Sequence, residues 1–165
     1  VVRLRDGWGL GGVTADAKAL RGCNVHPVGT MGYVAIAAPA LKATHFGAGG
    51  SAASLATAPM IVFNRKDRLQ ARYLRTVTRA TLAPPVHYLP TSTVFVEAAA
   101  RGWGWVLVPE SRAINARKTN AGYEPDSARW IDVPLYWQQA AIRSTTLQRI
   151  TAAMLDAAGK VLRDP

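Results

Sequence analysis

The chain has 165 residues, 49% of them hydrophobic, which is enough to build at least one buried core. Its longest uninterrupted apolar stretch, Tyr33–Leu41, is far shorter than the ~18–20 residues of a membrane-spanning helix, so we expect no membrane association. The single cysteine excludes an internal disulfide and fits a reducing compartment. Three scattered histidines give no zinc-binding spacing, and we expect neither a metal nor a cofactor.

The first third of the chain predicts two strands, a connector and a short helix. Trp8–Thr14 is apolar with interspersed glycines, as in a buried strand, and it runs into a polar segment. Thr30–Ala38 predicts a second strand, which Pro39 should end. We interpret Arg21–Pro27 as a connector, and Phe46–Ala58, which is rich in glycine, alanine and serine, as a loop with a short helix.

The middle of the chain alternates strands with helices. Three apolar stretches predict strands: Met60–Phe63, Val86–Leu89 and Trp105–Val108. Asp67–Val77 has apolar residues at helical spacing, with Asp67 at the N-cap position. A second helix is predicted over Thr91–Arg101, capped by a hydroxyl of Thr91, Ser92 or Thr93, with Val94, Phe95 and Ala98 facing inward. Gly102 should end that helix, and Pro109-Glu110 should stop the strand that follows it.

The last third predicts a loop, a strand and the clearest helix of the chain. Asn115–Ala128 is polar and indicates a loop, and Trp130–Trp137 indicates a strand. Thr145–Leu162 carries one apolar stripe, with Ser144 as its cap. The alternation along the whole chain predicts an α/β fold with a mainly parallel sheet, and it does not by itself distinguish an enzyme from a receptor.

The formal net charge of +10 raises the question of a nucleic-acid partner. The basic residues are dispersed, however. One group lies on a predicted helix face: Arg72, Arg75 and Arg79. Another group falls in a predicted loop: Arg112, Arg117 and Lys118. No zinc-finger, helix-turn-helix or RNP pattern accompanies them. A solvated, arginine-rich surface is the preferred interpretation, and a basic nucleic-acid-binding module stays open as an alternative.

Three segments carry a family resemblance: Phe63–Gln70, Gly102–Glu110 and Val133–Trp137. In these residues the chain resembles the C-terminal effector-binding domain of LysR-type transcriptional regulators. Within that family it is most similar to the ArgP/LysG branch, the regulators of basic amino-acid export. The Gly-x-Gly-x-x-x-Val-Pro turn is common to the wider family. The Asn-Arg-Lys-Asp run after an apolar strand and the Pro-Leu-Tyr-Trp run are more specific to the branch.

The resemblance implies an effector domain of the type 2 periplasmic-binding-protein kind, in which two Rossmann-like subdomains hold a small molecule in the cleft between them. Residues 1–28 would be the remnant of an incomplete first subdomain, 29–117 the second subdomain with five strands, and 118–165 the crossover back into the first. Hinges are expected at Tyr33–Ala38 and near Asn115–Arg129. DNA binding would come from a winged helix-turn-helix absent from this chain, in a cytoplasmic homodimer or homotetramer.

Effector contacts are implied at three strand or helix ends: Thr14 and Asp16; Asn64, Arg65 and Asp67; Thr91, Ser92 and Thr93. Physical chemistry points the same way, because ligands of open α/β sheets bind where strand ends meet helix starts. Helix N–H groups and hydroxyls suit an amino acid's carboxylate, and Asp16 or Asp67 suits its ammonium. Capping, turn formation and surface ion pairing are the structural alternatives for these residues.

We therefore predict a sensor of lysine or arginine rather than an enzyme. Ser92 and Ser111 lack a Gly-x-Ser-x-Gly setting, and there is no phosphate loop or paired-carboxylate pattern. A secreted solute-binding protein would share the architecture and stays open as a second alternative. We interpret four tryptophans as packing residues rather than as a cage for a cation: Trp103, Trp105, Trp130 and Trp137.

Overall fold

The computed structural model describes residues 9–118, 124–126 and 128–164. Strands and helices alternate along these residues: β1 (Gly11–Thr14), β2 (Cys23–Ile36), α1 (Pro39–Thr44), α2 (Ala52–Thr57), β3 (Met60–Val62), α3 (Leu69–Val77), β4 (Val86–Tyr88), a 3-10 turn (Ser92–Val94), α4 (Phe95–Ala100), β5 (Val106–Pro109), α5 (Glu110–Lys118), β6 (Trp130–Ala140) and α6 (Thr145–Gly159). None of the helices in these described ranges is both long and apolar enough to cross a membrane.

The described residues form two compact units. The first unit comprises those within Val1–Met31 and Asp132–Pro165, and the second unit comprises those within Gly32–Ile131. The chain passes between the units twice, once within β2 and once within β6. Trp8, the predicted start of the first strand, lies outside the described residues, and the observed strand β1 covers the end of that prediction.

The first unit is built on β1 and β6, which pair antiparallel with Gly11 opposite Gln139. Gly11 has to be a glycine, because a Cβ there would collide with the ring of Trp137. Helix α6 packs Ala158 against Trp137 and Val28. The predicted cap of this helix is confirmed, since Ser144 Oγ accepts a hydrogen bond from Leu147 N at 3.2 Å.

The apolar stripe predicted for α6 is partly wrong. Ile150 is 49% exposed, and Thr151 is buried in its place. The reason is a polar requirement of the core: the indole Nε1 of Trp137 donates to Thr151 Oγ1 at 3.0 Å. A buried indole N–H needs such an acceptor, so a threonine occupies a position where a purely apolar stripe would place a hydrophobic side chain.

The second unit holds the larger core, which lies between short strands and α4 and α5. β2 pairs antiparallel with β5, with Tyr33 opposite Pro109, and β3 pairs parallel with β4. Met60 and Trp105 form a parallel bridge between β3 and the start of β5. The buried side chains of this core are Val34, Ile36, Ile61, Phe95, Ala98, Ala99, Val106, Val108, Ala113 and Ala116. Most of them come from the strands and helices that the apolar pattern predicted.

Gly104 sets the close approach of two segments in this core. Its φ is +159°, and a Cβ would lie 2.6 Å from the carbonyl oxygen of Pro59. Trp105 N donates to that same oxygen at 2.9 Å. A residue with a side chain would push these backbones apart, so the Gly-Trp-Gly-Trp segment needs its second glycine for packing.

The prediction of a mainly parallel sheet is wrong for the strand pairs with a described register. Of the strand pairs with a described register, β1–β6 and β2–β5 are antiparallel and only β3–β4 is parallel. The second unit contains β3, β4, β5 and the end of β2, with the first residues of β6. Strand β2 enters it directly from the other unit rather than through a crossover helix, which frees it to run antiparallel to β5.

Two other predictions of local structure are corrected. The predicted connector Arg21–Pro27 is largely strand, since β2 begins at Cys23. Further along the same strand, a partner distant in sequence holds the extended backbone, through the reciprocal Thr30–Arg163 hydrogen bonds of 2.9 and 3.1 Å. Pro39 follows shortly after the end of β2, in line with the prediction, but it also begins helix α1, which was not predicted. The missing N–H of proline costs nothing at this position, because the first N–H groups of a helix have no partner within the helix.

The predicted loop Asn115–Ala128 begins as helix. Glu110 does not stop the chain but opens α5, which continues to Lys118 and buries Ala113 and Ala116. An acidic residue in the first turn and basic residues in the last turn favour a helix through its dipole. The remainder of the predicted loop lies partly outside the described residues.

Candidate functional site

Parallel pairing of β3 and β4 places their carboxyl ends at one edge of the second unit. Val62 is opposite Tyr88, and Leu89 N continues the ladder by donating to Val62 O at 3.0 Å. The turn after β3 and the 3-10 turn after β4 therefore leave the pair side by side. Two of the three predicted groups of site residues, around Asn64 and around Thr91, belong to these turns.

Asn64 and Arg65 are exposed, and their contacts are local. Asn64 Oδ1 accepts hydrogen bonds from Lys66 N at 2.8 Å and from Asp67 N at 3.2 Å, which closes the turn after β3. The guanidinium of Arg65 lies over the ring of Tyr88, with Cζ 5.7 Å from the ring centroid. These two residues therefore shape and cover the turn.

Asp67 is not the N-cap of α3, which corrects the prediction. The cap position is Arg68, and its side chain makes no capping bond. Asp67 Oδ1 instead accepts from Leu69 N at 2.9 Å, one residue into the helix. This turn places the half-buried carboxylate beside the pocket that α3 borders, with a single carboxylate oxygen engaged in the described hydrogen bonds.

The predicted capping of the second helix by a hydroxyl is wrong as well. Ser92–Val94 forms a 3-10 turn, α4 starts only at Phe95, and neither Thr91 nor Val94 makes a side-chain cap. The hydroxyls of Thr91 and Thr93 lie 2.8 Å apart and bond to each other. Val94, predicted to face inward, is 37% exposed. The extra turn of 3-10 helix shifts the α-helix away from the hydroxyl cluster, which removes the capping geometry.

A pocket of about 310 Å³ opens beside these turns, and all of its walls belong to the second unit. Its lining residues are Tyr33, Phe63, Asp67, Leu69, Gln70, Ser92, Phe95, Leu107, Val108, Pro109 and Arg112. Of the predicted site residues, Asp67 and Ser92 line this pocket; Asn64, Arg65, Thr91 and Thr93 are their chain neighbours. The walls are mostly apolar, with a few polar groups, which is typical of a small-molecule site.

Charges of both signs border the pocket. Asp67 is the acidic residue of its lining and Arg112 the basic one, and the two form no ion pair with each other among the described salt bridges. Arg112 Nη1 donates to Ser92 O at 3.3 Å, linking α5 to the turn after β4. A ligand with separated positive and negative ends matches this arrangement.

Tyr33 adds a hydroxyl to the wall. Burial raises the pKa of its phenol above the ordinary value, and the nearby Asp67 carboxylate raises it further. Both causes disfavour the phenolate, so the side chain stays a neutral hydroxyl at physiological pH. It offers one donor and acceptor capacity for hydrogen bonds.

Gln70 is a further pocket residue, only 2% exposed. Its Nε2 donates to Ile61 O at 2.9 Å, and its Oε1 has no hydrogen-bond partner among the described residues. Tyr33, Gln70 and Arg112 were not among the site residues predicted from the sequence. A glutamine on the buried face of a helix was a signal for Gln70, but Arg112 was hidden by the wrong assignment of α5 as a loop.

The third predicted group, Thr14 and Asp16, lies in the first unit at the end of β1. Thr14 is buried, and its hydroxyl accepts from Asp16 N at 3.1 Å. Asp16 is exposed, and its Oδ1 accepts from Lys18 N at 2.9 Å. These bonds form a local turn, which is the structural alternative considered for Asp16.

Buried Gln138 holds that turn from β6. Its Nε2 donates to Asp16 O at 3.0 Å and to Lys18 O at 2.9 Å, and its Oε1 accepts from Leu20 N at 3.2 Å. All the polar capacity of this side chain is therefore used on the backbone of the turn.

The other candidate residues have structural or surface roles. Trp105 and Trp137 are buried, whereas Trp103 and Trp130 are about half exposed. Trp105 stacks at a tilt on Tyr73, with 5.5 Å between ring centroids, which supports the packing interpretation. Within the described ranges, no cluster of three or more His, Cys, Asp or Glu side chains could hold a metal ion.

No protein-family model matches the chain. Comparison with individual proteins, however, finds relatives. The lysine export transcriptional regulatory protein LysG of Corynebacterium glutamicum is 38% identical over 161 residues, which are 97% of this chain and 54% of that protein. The chain thus spans about half the length of the curated relatives it matches.

Solved structures extend the similarity to the fold. The C-terminal domains of a LysR family protein from Agrobacterium tumefaciens superpose with a TM-score of 0.92 at 38% identity, over 99% of this chain and 79% of that one. Full-length LysG of C. glutamicum with bound effector Arg has a TM-score of 0.85 at 37% identity, over 98% of this chain and 55% of that one. The chain belongs to the LysR family of transcriptional regulators and has the type 2 periplasmic-binding-protein-like fold of their effector-binding domains.

Proposed function

We propose that this chain is the ligand-sensing domain of a LysR-type transcriptional regulator that binds a basic amino acid, arginine or lysine. Binding would control transcription of a gene for amino-acid export. The observation that carries the proposal is the pocket bordered by Asp67 and Arg112, with charges of opposite sign on one apolar cavity. The similarity to the lysine export regulator LysG, and to LysG with bound effector Arg, supports the choice of ligand class.

The chemistry of the pocket suits an amino acid. Its apolar walls, including Phe63, Phe95 and Leu107, fit the methylene groups of a long side chain. Asp67 provides a counter-charge for an ammonium or a guanidinium group, and Ser92 and Tyr33 provide hydroxyls. The net charge of +10 opposes a cationic ligand only weakly, since salt screens charges beyond ~8 Å at physiological ionic strength and a nearby carboxylate outweighs distant arginines.

A basic amino acid carries two cationic groups, and the pocket lining contains a single carboxylate, that of Asp67. The family resemblance also implies Thr14 and Asp16 as effector contacts, and we keep both as proposals. Asn64, Arg65, Thr91 and Thr93 are kept as proposed contacts around Asp67 and Ser92. Because none of these side chains is part of the pocket lining, their contribution would be smaller than that of Asp67.

The ligand would be bound without chemical change, so the chain is proposed to be a sensor and not an enzyme. Its effect on transcription would be a shift between conformations, limited by the difference in ligand affinity between them. The proposal includes a cytoplasmic homodimer or homotetramer, which binds DNA through a winged helix-turn-helix outside this chain. The subdomain limits 29–117 also remain part of the proposal.

Titration calorimetry of the full-length protein tests this function. We expect arginine and lysine to bind at least tenfold more tightly than leucine, and mass spectrometry to recover the ligand unaltered. Leucine is the matched control because it keeps the α-ammonium and the carboxylate but lacks the cationic side chain. Equal affinities for leucine and arginine would contradict the specificity, and conversion of the ligand would contradict the absence of catalysis.

A further inference from the structure

We propose that Arg112 is the residue by which this pocket selects ligands that carry a carboxylate. The inference rests on the proposed function and adds to it the protein group that recognises the acidic end of the amino acid. Arg112 belongs to α5, a segment that sequence patterns assign to a loop, and none of the strand and helix ends predicted as contacts includes it.

The side chain of Arg112 is held by a hydrogen bond, but its charge is not paired with a carboxylate in any described salt bridge. Its Nη1 donates to Ser92 O in a long hydrogen bond of 3.3 Å. A guanidinium has five N–H groups in a planar fork, so most of its donors are not used by this bond. Among the described salt bridges none involves Arg112, whereas Arg101, Arg117, Arg129 and Arg163 each pair with a carboxylate.

The two charges of the pocket are separated rather than paired with each other. Asp67 Oδ1 is held by Leu69 N, and Arg112 is held by Ser92 O on the turn after β4. An ion pair between Asp67 and Arg112 would have engaged both charged groups with each other. Since it is absent from the described contacts, each group is available to a ligand group of the opposite charge.

The surroundings of Arg112 suit a carboxylate. The bidentate geometry of a guanidinium matches the two oxygens of a carboxylate, and the hydroxyls of Ser92 and Tyr33 line the same pocket. The pKa of Tyr33 is raised by burial and by Asp67, so its hydroxyl remains a donor. Leu107 and Val108 give the same pocket an apolar wall.

A purely structural role for Arg112 is the competing explanation, because its bond to Ser92 O ties α5 to the turn after β4. The two roles differ in ligand dependence. Loss of a tie alone would weaken every ligand of the pocket to a similar degree. Loss of a carboxylate partner would weaken only ligands that have a carboxylate.

The test compares arginine with agmatine, the same molecule without its carboxylate, by calorimetry on full-length wild-type protein and on Arg112→Met. We expect wild-type protein to prefer arginine, and Arg112→Met to bind arginine about 10- to 100-fold more weakly while agmatine affinity stays the same. Arg112→Lys should restore part of the preference, since an ammonium keeps the charge but not the bidentate fork.

Arg101→Met is the matched control, because Arg101 is an exposed arginine of the same unit whose partner is Glu97. It should leave both affinities unchanged. Equal losses for arginine and agmatine in Arg112→Met, or no loss for either, would overturn the proposal. If that variant does not fold, equal binding of the two ligands by the wild-type protein would overturn it. Failure of the wild-type protein to bind arginine or lysine would instead refute the proposed function itself.

Discussion

Two regions of this protein, the end of β1 and the adjacent ends of β3 and β4, start from the same sequence pattern and reach different structures. At the end of β1, Thr14 and Asp16 bond within their own turn, and Gln138 satisfies the backbone around them. At the ends of β3 and β4, Asp67 and Ser92 border a pocket of about 310 Å³ that also contains Arg112. An apolar strand followed by polar residues therefore predicts a turn in both places, but only the turns after β3 and β4 bring their polar residues to this pocket.

The difference comes from what faces each turn. A buried glutamine from β6 fills the space at the first strand end and uses all its hydrogen-bonding groups there. The second strand end faces mostly apolar side chains and the long bond between Arg112 and Ser92, which leaves polar groups available. A polar residue at a strand end is thus available to a ligand only where the structure provides no internal partner.

The largest expected effect is on stability, from Gln138→Ala. This change removes the partners of Asp16 O, Lys18 O and Leu20 N and leaves a cavity, and we expect a loss of about 2–4 kcal/mol in the free energy of unfolding. Urea unfolding of the variant and of Gln148→Ala, an exposed glutamine of α6, provides the measurement. A loss no greater than that of the control would show that the first strand end is not held by Gln138.

The next effect is on ligand affinity, from Asp67→Asn. Asparagine still offers Oδ1 to Leu69 N, so the turn should persist while the negative charge is lost. We expect arginine to bind about 10- to 100-fold more weakly in calorimetry, equivalent to about 1.4–2.8 kcal/mol, with little change in stability. Asp156→Asn is the control, because Asp156 pairs with Lys160 on α6 and is not a pocket residue. Unchanged affinity in Asp67→Asn would remove this carboxylate from the site.

A smaller effect is expected from Asp16→Asn. The side chain already accepts a bond from Lys18 N, and asparagine can accept the same bond. We expect arginine affinity to fall about fivefold, roughly 1 kcal/mol, while leucine affinity changes less. If the loss equals or exceeds that of Asp67→Asn, the contrast between the two strand ends does not extend to ligand binding.

The smallest effect at neutral pH is expected from Tyr73→Phe, in the core behind the pocket. The hydroxyl of Tyr73 is buried and has no partner among the described residues, so its removal should leave stability unchanged or raise it by less than about 1 kcal/mol. Thermal unfolding at pH 7 measures this. A clear loss of stability would show that the hydroxyl has a partner, such as an ordered water.

Alkaline pH should enlarge the difference between Tyr73→Phe and the wild-type protein. Burial first, and then the Asp126 carboxylate, raises the pKa of Tyr73 from 10.0 to about 12. The folded state therefore holds the phenolic proton more tightly than the unfolded state. The resulting stability is complete below pH 10 and is lost as the pH rises towards 12, so the variant should lose less stability than the wild-type protein over that window.

The sequence predicted the elements that depend on local pattern. The apolar stretches of β3, β4 and β5 and the helices α3 and α6 were found, and Ser144 was identified as the cap of α6. Gly102 also ends its helix as predicted, with φ at +79°. These features follow from side-chain periodicity and backbone freedom over a few residues, which a single sequence displays directly.

The errors have several physical causes. Strand β2 was shortened because its partners lie far along the chain, and α5 was missed because its apolar face consists of small alanines. The hydroxyl cap of α4 was wrong because a 3-10 turn intervenes. The missed pocket residue Arg112 comes from α5, so the error in this element became an error in the site.

By itself, the sequence determined the α/β character of the protein, its family resemblance and the two turns that carry Asp67 and Ser92, since these depend on residue order and local spacing. Tertiary structure decided which polar residues are already satisfied and which border a cavity. Only the tertiary structure places Arg112, Asp67 and Ser92 around one pocket. Only the tertiary structure brings Gln138 into hydrogen-bonding contact with the turn at Asp16. The physical reason is that a hydrogen-bonding group is available to a ligand only if no neighbour in space, however distant in sequence, has already paired with it.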